Sequence, residues 1–179
     1  MNNQHNNDMI LFDYNQNSTN ANFLDNLHIP NIVKVVGVDG NKEIIDNQCV
    51  DDIKAAIGQI VTKHEYSCVD YNDVAAILQS GENALAVIVE AQGNDRAEMA
   101  AAELIERIEA AGCQFDTIKG ILLHIHFTTS PFRLTVKEYG TITGSLWQRL
   151  DSCANLLCGV SDGCNADSNL LRITALVIS

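Results

Sequence analysis

The order of apolar patterns predicts a two-layer α/β fold: a four-stranded mixed sheet with two helices on one face, preceded by a core helix. Three observations carry this expectation. After residue 83, apolar runs of strand length alternate with amphipathic runs of helix length, strand–helix–strand–helix. Two such strand–helix–strand units require parallel pairing through right-handed crossovers. The last two apolar runs are separated only by "DGCNADSN", which reads as a hairpin loop and adds an antiparallel strand. A sheet with helices on one face is a two-layer α/β domain.

Taken in order, residues 1–28 are rich in Asn and Gln with a few isolated apolar side chains. Such a stretch buries too little apolar surface to offset its ordering entropy, so a disordered tail is expected. Residues 29–49 hold Pro30, the β-branched run "NIVKVVGV" (31–38) and the turn signal "DGN". A lone strand adding to a sheet edge or covering the core helix is the simplest reading of that run. Residues 50–179 form the main domain. "VDDIKAAIGQIVTKH" (50–64) spaces Ile53, Ile57, Ile60 and Val61 as a helix face, with acids in its first turn.

A second, shorter helix follows "CVDYNDV" (68–74) and stops at Ser80-Gly81. "NALAVIVEA" (83–91) is a nearly all-apolar strand. "DRAEMAAAELIERIEAA" (95–111) is a helix with Met99, Ala102, Ile105 and Ile108 expected on one face, closed by Gly112. "TIKGILLHIHFT" (117–128) is a strand. "TVKEYGTITGSLWQRL" (135–150) is a helix expected to bury Val136, Tyr139, Thr143, Leu146 and Leu150. "NLLCGVS" (155–161) and "LLRITALVI" (170–178) are the closing strands.

Composition excludes several function classes. The 179 residues carry 23 acidic and 11 basic side chains, a net charge of −12. A field of that sign repels phosphate backbones, so nucleic acid is not an expected partner. No apolar run approaches the ~20 residues of a membrane span. The start "MNNQHNNDMILFDYNQ" lacks the basic and apolar regions of a signal peptide, so a cytoplasmic location is expected. The six cysteines (49, 68, 113, 153, 158, 164) then read as reduced thiols, and no pair has C-x-x-C spacing. Cys153, Cys158 and Cys164 with His124 and His126 are a conceivable metal cluster, but core cysteines in strands are the commoner case, and no metal is expected. His124 and His126 alternate along one strand and so share a face. No nucleophile motif of the G-x-S-x-G kind occurs.

"CVDYNDV" places Asp70 and Asp73 three residues apart at a helix start. Asp70 as N-cap and Asp73 at the third helical position satisfy open N–H groups and complement the helix dipole, worth about 1 kcal/mol for the cap. The same two carboxylates held at a helix mouth could instead serve chemistry. The residues leave both roles open. Cys68 beside two acids is a poor thiolate, because negative neighbours raise its pKa.

From about residue 50 onward the chain resembles the core helix and C-terminal domain of FtsZ, the bacterial tubulin-like division protein. "DIKAAIGQIVTKHEYSCVDYNDV" is similar to the family's core helix running into its synergy loop. "AQGNDRAEMAAAELIE" is similar to its E/A-x-G-x-[DN]-R-A-x-x-A element, and "KGILLHI" and "LLRITALV" are similar to an inner strand and the closing R-[VI]-T strand. The resemblance covers roughly three-quarters of the chain, in order. It implies the tubulin/FtsZ C-terminal fold and a role in cell division.

The family binds GTP through a separate N-terminal domain with a G-G-G-T-G-T-G signature, and no such run exists here. "IVKVVGVDGN" is similar to the family's first strand, yet Asp39 stands where a glycine is expected, and a carboxylate there repels phosphate. Only ~20 residues separate Val38 from the middle of the core helix, against the order of 100 that a nucleotide-binding domain needs. The expectation is a chain without its own GTP site and not an enzyme by itself, with GTP reached only through a partner subunit.

The family's synergy loop, N-x-D-x-x-D, enters the neighbouring subunit's GTP site. The resemblance puts those acids on Asp70 and Asp73 as residues catalytic only in trans. Cys68 replaces the loop's Asn. Cys68, Tyr71, Asn72 and Arg96 are the interface candidates, although an arginine in Arg96's position most often closes a helix N-terminus or pairs with nearby acids. The implied partner is an FtsZ-like protein or a second copy in a homodimer.

Overall fold

The computed structural model describes residues 30–36, 42–43, 53–58, 60, 69–128, 132–163 and 169–179. The Asn-rich tail, Asp39, Cys49, Val61, Cys68 and Cys164 lie outside them. The strands are β1 (Asn31–Val36), β2 (Lys42–Glu43), β3 (Asn83–Gln92), β4 (Gly120–Thr128), β5 (Asn155–Gly163) and β6 (Leu170–Ile178). The helices are α1 (residues 53–58 and 60), α2 (Tyr71–Leu78), α3 (Arg96–Ala110) and α4 (Val136–Trp147).

The four-stranded mixed sheet is present, in the order β3-β6-β4-β5, and β1 and β2 extend it to six strands, β2-β1-β3-β6-β4-β5. The "IVKVV" run thus adds to a sheet edge, parallel to β3. α4 connects β4 and β5, which pair in parallel without interruption from Gly120↔Asn155 to Thr128↔Gly163. β3 and β4 run in the same direction, but they do not touch.

The expected β5–β6 hairpin is a correction. β6 inserts between β3 and β4 and is antiparallel to both, from Ala84↔Ile178 to Gln92↔Leu170 and from Gly120↔Ile178 to Phe127↔Leu171. The reason lies in its side chains. Leu171, Ile173, Ala175 and Val177 are buried on one face, and Leu176 and Ile178 on the other. A strand apolar on both faces is most stable in the middle of a covered sheet.

α3 and α4 cover one face. Leu85, Val87 and Val89 of β3, Ile121, Leu123 and Ile125 of β4 and the inner residues of β6 pack there against Ala97, Ala101, Leu104, Ile108, Ile142 and Leu146. The opposite face is covered by the core helix and α2, through Ile53, Ile57, Ile60, Val74, Ile77 and Leu78 on Ala84, Ala86, Leu122 and Leu176. Two helices on one face therefore holds, and the helices that precede them supply a third layer.

Two helix faces differ from expectation. In α3 the buried stripe is Ala97, Ala100, Ala101, Leu104, Ile105 and Ile108; Met99 is 56% exposed and Ala102 also faces solvent. Spacing alone admits either stripe, and Arg96 at the helix start, buried, selects the one in phase with it. In α4 the buried residues are Ile142 and Leu146, while Val136 is 90% exposed. Val136 is the first residue after the cap, on the side of the helix turned away from α3.

One glycine sets the depth of the core helix. A Cβ on Gly159 would lie 2.6–2.8 Å from Ile60 side-chain atoms, so the bare backbone of β5 is what lets Ile60 seat on the sheet. Among the described residues no helix is long and apolar enough to cross a membrane.

Candidate functional site

The mouth of α2 is built by a change of backbone state at Asp70, which is extended (φ −93°, ψ 170°) just before the helix begins. Its Oδ1 accepts the Asp73 N–H at 3.0 Å, and its carbonyl accepts the Val74 N–H at 3.3 Å. Val69 and Val74 are buried on either side and pin the turn to the core. The capping geometry anticipated for Asp70 is thus present. Asp70, Tyr71, Asn72 and Asp73 are all exposed, with Tyr71 at 40%. Among the described residues neither carboxylate forms an ion pair.

The result is a rigid, outward-facing ledge of two acids, an amide and a phenol. The carboxylates accept hydrogen bonds only, so they can orient a water or a cationic group brought to them. They cannot themselves hold a phosphate. Cys68, which precedes the ledge, is outside the described residues.

Arg96 is elsewhere and inside. Its side chain is 3% exposed. Nε donates to Glu138 Oε1 at 2.6 Å, Nη1 to Asn169 Oδ1 at 2.6 Å, and Nη2 to the Phe132 and Arg133 carbonyls at 3.0 and 3.2 Å. The guanidinium therefore joins α3, the loop before α4, α4 itself and the start of β6. Pairing with a nearby acid is the role this geometry gives it, and it has no surface to offer a partner.

Glu138 closes a reciprocal capping box with Thr135. Burial pushes its carboxyl up. Hydrogen bonds from Arg96 and from the Thr135 N–H and hydroxyl outweigh that and hold it below the usual glutamate range. The T-x-x-E spacing at 135–138 is a sequence signal for this box that the periodicity reading passed over.

The conceivable metal cluster does not assemble from the residues described. His124 and His126 lie on the α1 side of the sheet, where Ser161 Oγ sits 2.8 Å from His124 Nε2 and 3.0 Å from His126 Nδ1. Cys158 is on the α4 side, against the Tyr139 hydroxyl, and burial pushes its thiol up to about 12. Cys153 is exposed before β5. Among the described residues no group of three metal-capable side chains exists. Ser161 is fully buried, so the histidine–serine contact serves packing rather than attack on a substrate. A shallow groove of about 440 Å³ between α3 and α4 is rimmed by Glu98, Glu106 and Glu109 and bridged by Arg149 to Glu109 at 2.6 Å.

No protein-family model matches the sequence, and neither does any curated protein. Solved structures do match. A mutant FtsZ from M. jannaschii superposes with a TM-score of 0.63 at 23% identity, over 74% of this chain and 38% of that one. This is an FtsZ-like fold. An empty FtsZ dimer from M. jannaschii gives 0.62 at 22% identity over the same shares. The chain spans under two-fifths of the length of the FtsZ structures it matches. The stretches "DRAEMAAAELIE", "KGILLHI" and "LLRITALV" lie on α3, β4 and β6 in that order.

Proposed function

We propose that this chain is an FtsZ-related, non-catalytic interaction module of cell division that docks on a full FtsZ-type subunit through the mouth of α2. The observation that supports this reading is the exposed ledge of Asp70, Tyr71, Asn72 and Asp73, held rigidly by the Asp70 cap at the place where the resemblance puts the synergy loop. Docked there, the chain would present the loop that completes a partner's GTP site while offering no nucleotide site to the next subunit, and so would cap filaments. GTP is then met only through the partner, and the chain's own contribution is binding.

The test is sedimentation of full-length FtsZ polymers with GTP, with and without excess chain. Reduced polymer mass supports capping; unchanged mass at saturating chain removes it.

A second reading, activation in trans, rests on the two carboxylates being outward and, among the described residues, in no ion pair. Docking would then raise the partner's phosphate release, with Asp70 and Asp73 orienting the attacking water. Stimulation by the parent chain that Asp70→Asn lacks would support it, and equal stimulation by both would exclude it.

A further inference from the structure

α4 combines two kinds of surface that are scarce elsewhere on this chain, and we propose that the chain's own N-terminal segment "DMILFD" (8–13) docks along it. The large apolar side chains exposed among the described residues are Tyr71, Met99, Phe132, Val136, Tyr139 and Trp147, and the last four lie on α4 or lead into it. Val136 is 90% and Trp147 50% exposed. Of the Lys and Arg residues whose burial is described, Lys119, Arg133, Lys137 and Arg149 are exposed, and all but Lys119 lie on α4 or beside it. The one acid of α4, Glu138, is tied to Arg96. In a chain of net charge −12, this helix is where exposed apolar and exposed positive groups coincide.

Both ends of this face are positive, and that selects the occupant. Arg133 and Lys137 stand at the start of α4, and Arg149 just past its end. A second copy would bring the same helix, and pairing α4 with itself in either direction sets basic end against basic end. Residues 1–29 instead hold three acids, Asp8, Asp13 and Asp25, and no Lys or Arg. Asp8 and Asp13 close the apolar run M-I-L-F on either side. The lengths agree. Extended chain from Asp8 to Asp13 covers ~17 Å at ~3.3 Å per residue. Helix from Lys137 to Arg149 covers ~18 Å at ~1.5 Å per residue. The present partners of those two bases, Glu98 at 3.9 Å and Glu109 at 2.6 Å, are themselves exposed, so exchanging them for Asp8 and Asp13 costs little.

The chain also reaches. The starts of β1, β3, β4 and β5 share one end of the sheet, through the pairs Asn31↔Asn83, Ala84↔Ile178, Gly120↔Ile178 and Gly120↔Asn155. α4 runs back to that end before β5 begins, and there Arg149 lies over the ring of Phe115, which precedes β4. From β1 to β5 is four strand spacings, ~19 Å at ~4.8 Å each. Residues 14–29 span up to ~53 Å when extended. A segment this poor in apolar residues buries too little to fold alone. Against α4 its M-I-L-F run has Val136, Tyr139 and Trp147 to cover.

α4 and α2 cover opposite faces of the sheet, so this contact stands or falls apart from the docking reading. Trp147 is the one tryptophan of the chain, and its fluorescence therefore reads this face directly. In the full chain at about 1 µM, Ile10→Asp with Phe12→Asp should move the emission to longer wavelength and increase its quenching by acrylamide relative to the parent. Asp8→Lys with Asp13→Lys, and separately Lys137→Glu with Arg149→Glu, should produce the same shift. All four charge reversals together should restore the parent emission, with far-UV circular dichroism reporting the fold of every variant. Emission that the Ile10 and Phe12 substitutions leave unchanged would overturn the proposal. So would a fourfold variant that shows no restoration, or protection of Trp147 that develops only as the parent is raised toward about 50 µM, the mark of a neighbour's segment.

Discussion

Arg96 Nε lies 2.6 Å from Glu138 Oε1, across 42 residues of sequence, and this contact ties the first turn of α3 to the first turn of α4. Both groups are largely withdrawn from water, at 3% and 16% exposure. Removing one member of a buried pair leaves the other uncompensated, which costs about 3–5 kcal/mol. Arg96→Ala should therefore lower the unfolding free energy by about that amount in urea. Arg96→Lys should recover only part of it, because an ammonium cannot reach Glu138, Asn169 and the Phe132 carbonyl together.

The same pair sets a pH response. The folded-state carboxyl of Glu138 is held below its ordinary value, so the unfolded chain binds the proton more readily. Its contribution is complete above the ordinary glutamate pKa and is lost as pH falls through the folded value. Thermal unfolding of parent and Glu138→Gln should differ most at neutral pH and converge as pH falls below about 4. A gap that widens with acid would contradict this sign.

Gly159→Ala should destabilise the chain by about 1–3 kcal/mol, the range for overpacking a filled core, because the added methyl meets Ile60 at 2.6–2.8 Å. Ile60→Ala alone should also cost stability, by leaving a cavity. The double variant should cost less than the two singles added together, since the cavity of one accepts the methyl of the other. Additive losses in chemical denaturation would show that Ile60 does not rest on Gly159.

At the mouth of α2 charge and cap can be separated. Asp70→Asn keeps a side-chain oxygen for the Asp73 N–H and should melt within a few tenths of a kcal/mol of the parent. Asp70→Ala loses the cap and about 1 kcal/mol. If only capping matters, FtsZ-type polymers respond equally to the parent and the Asn variant; if the carboxylate acts on a partner, the Asn variant loses the effect despite its intact fold.

Much of this molecule is legible in its sequence. The strands at β3, β4 and β6 follow from apolar runs of strand length such as "NALAVIVEA" and "LLRITALVI". The cap at Asp70 follows from an Asp just before "AAIL", because capping is local and needs no knowledge of the fold. The ledge of Asp70, Tyr71, Asn72 and Asp73 is legible for the same reason. The buried Arg96 is not, since its partners Glu138, Asn169 and Phe132 are 36 to 73 residues away.

What the sequence by itself determined is therefore the identity of the local elements and the FtsZ-like order in which they come. Spacing of apolar residues, turn residues and caps acts within a few positions of sequence. Tertiary structure alone decided that β6 leaves its neighbour in sequence to lie between β3 and β4, and that α3 turns Ala97 and not Met99 inward. Those choices depend on which surfaces meet. A strand apolar on both faces has more to bury at the centre than beside β5, and that comparison is made only when the whole sheet assembles.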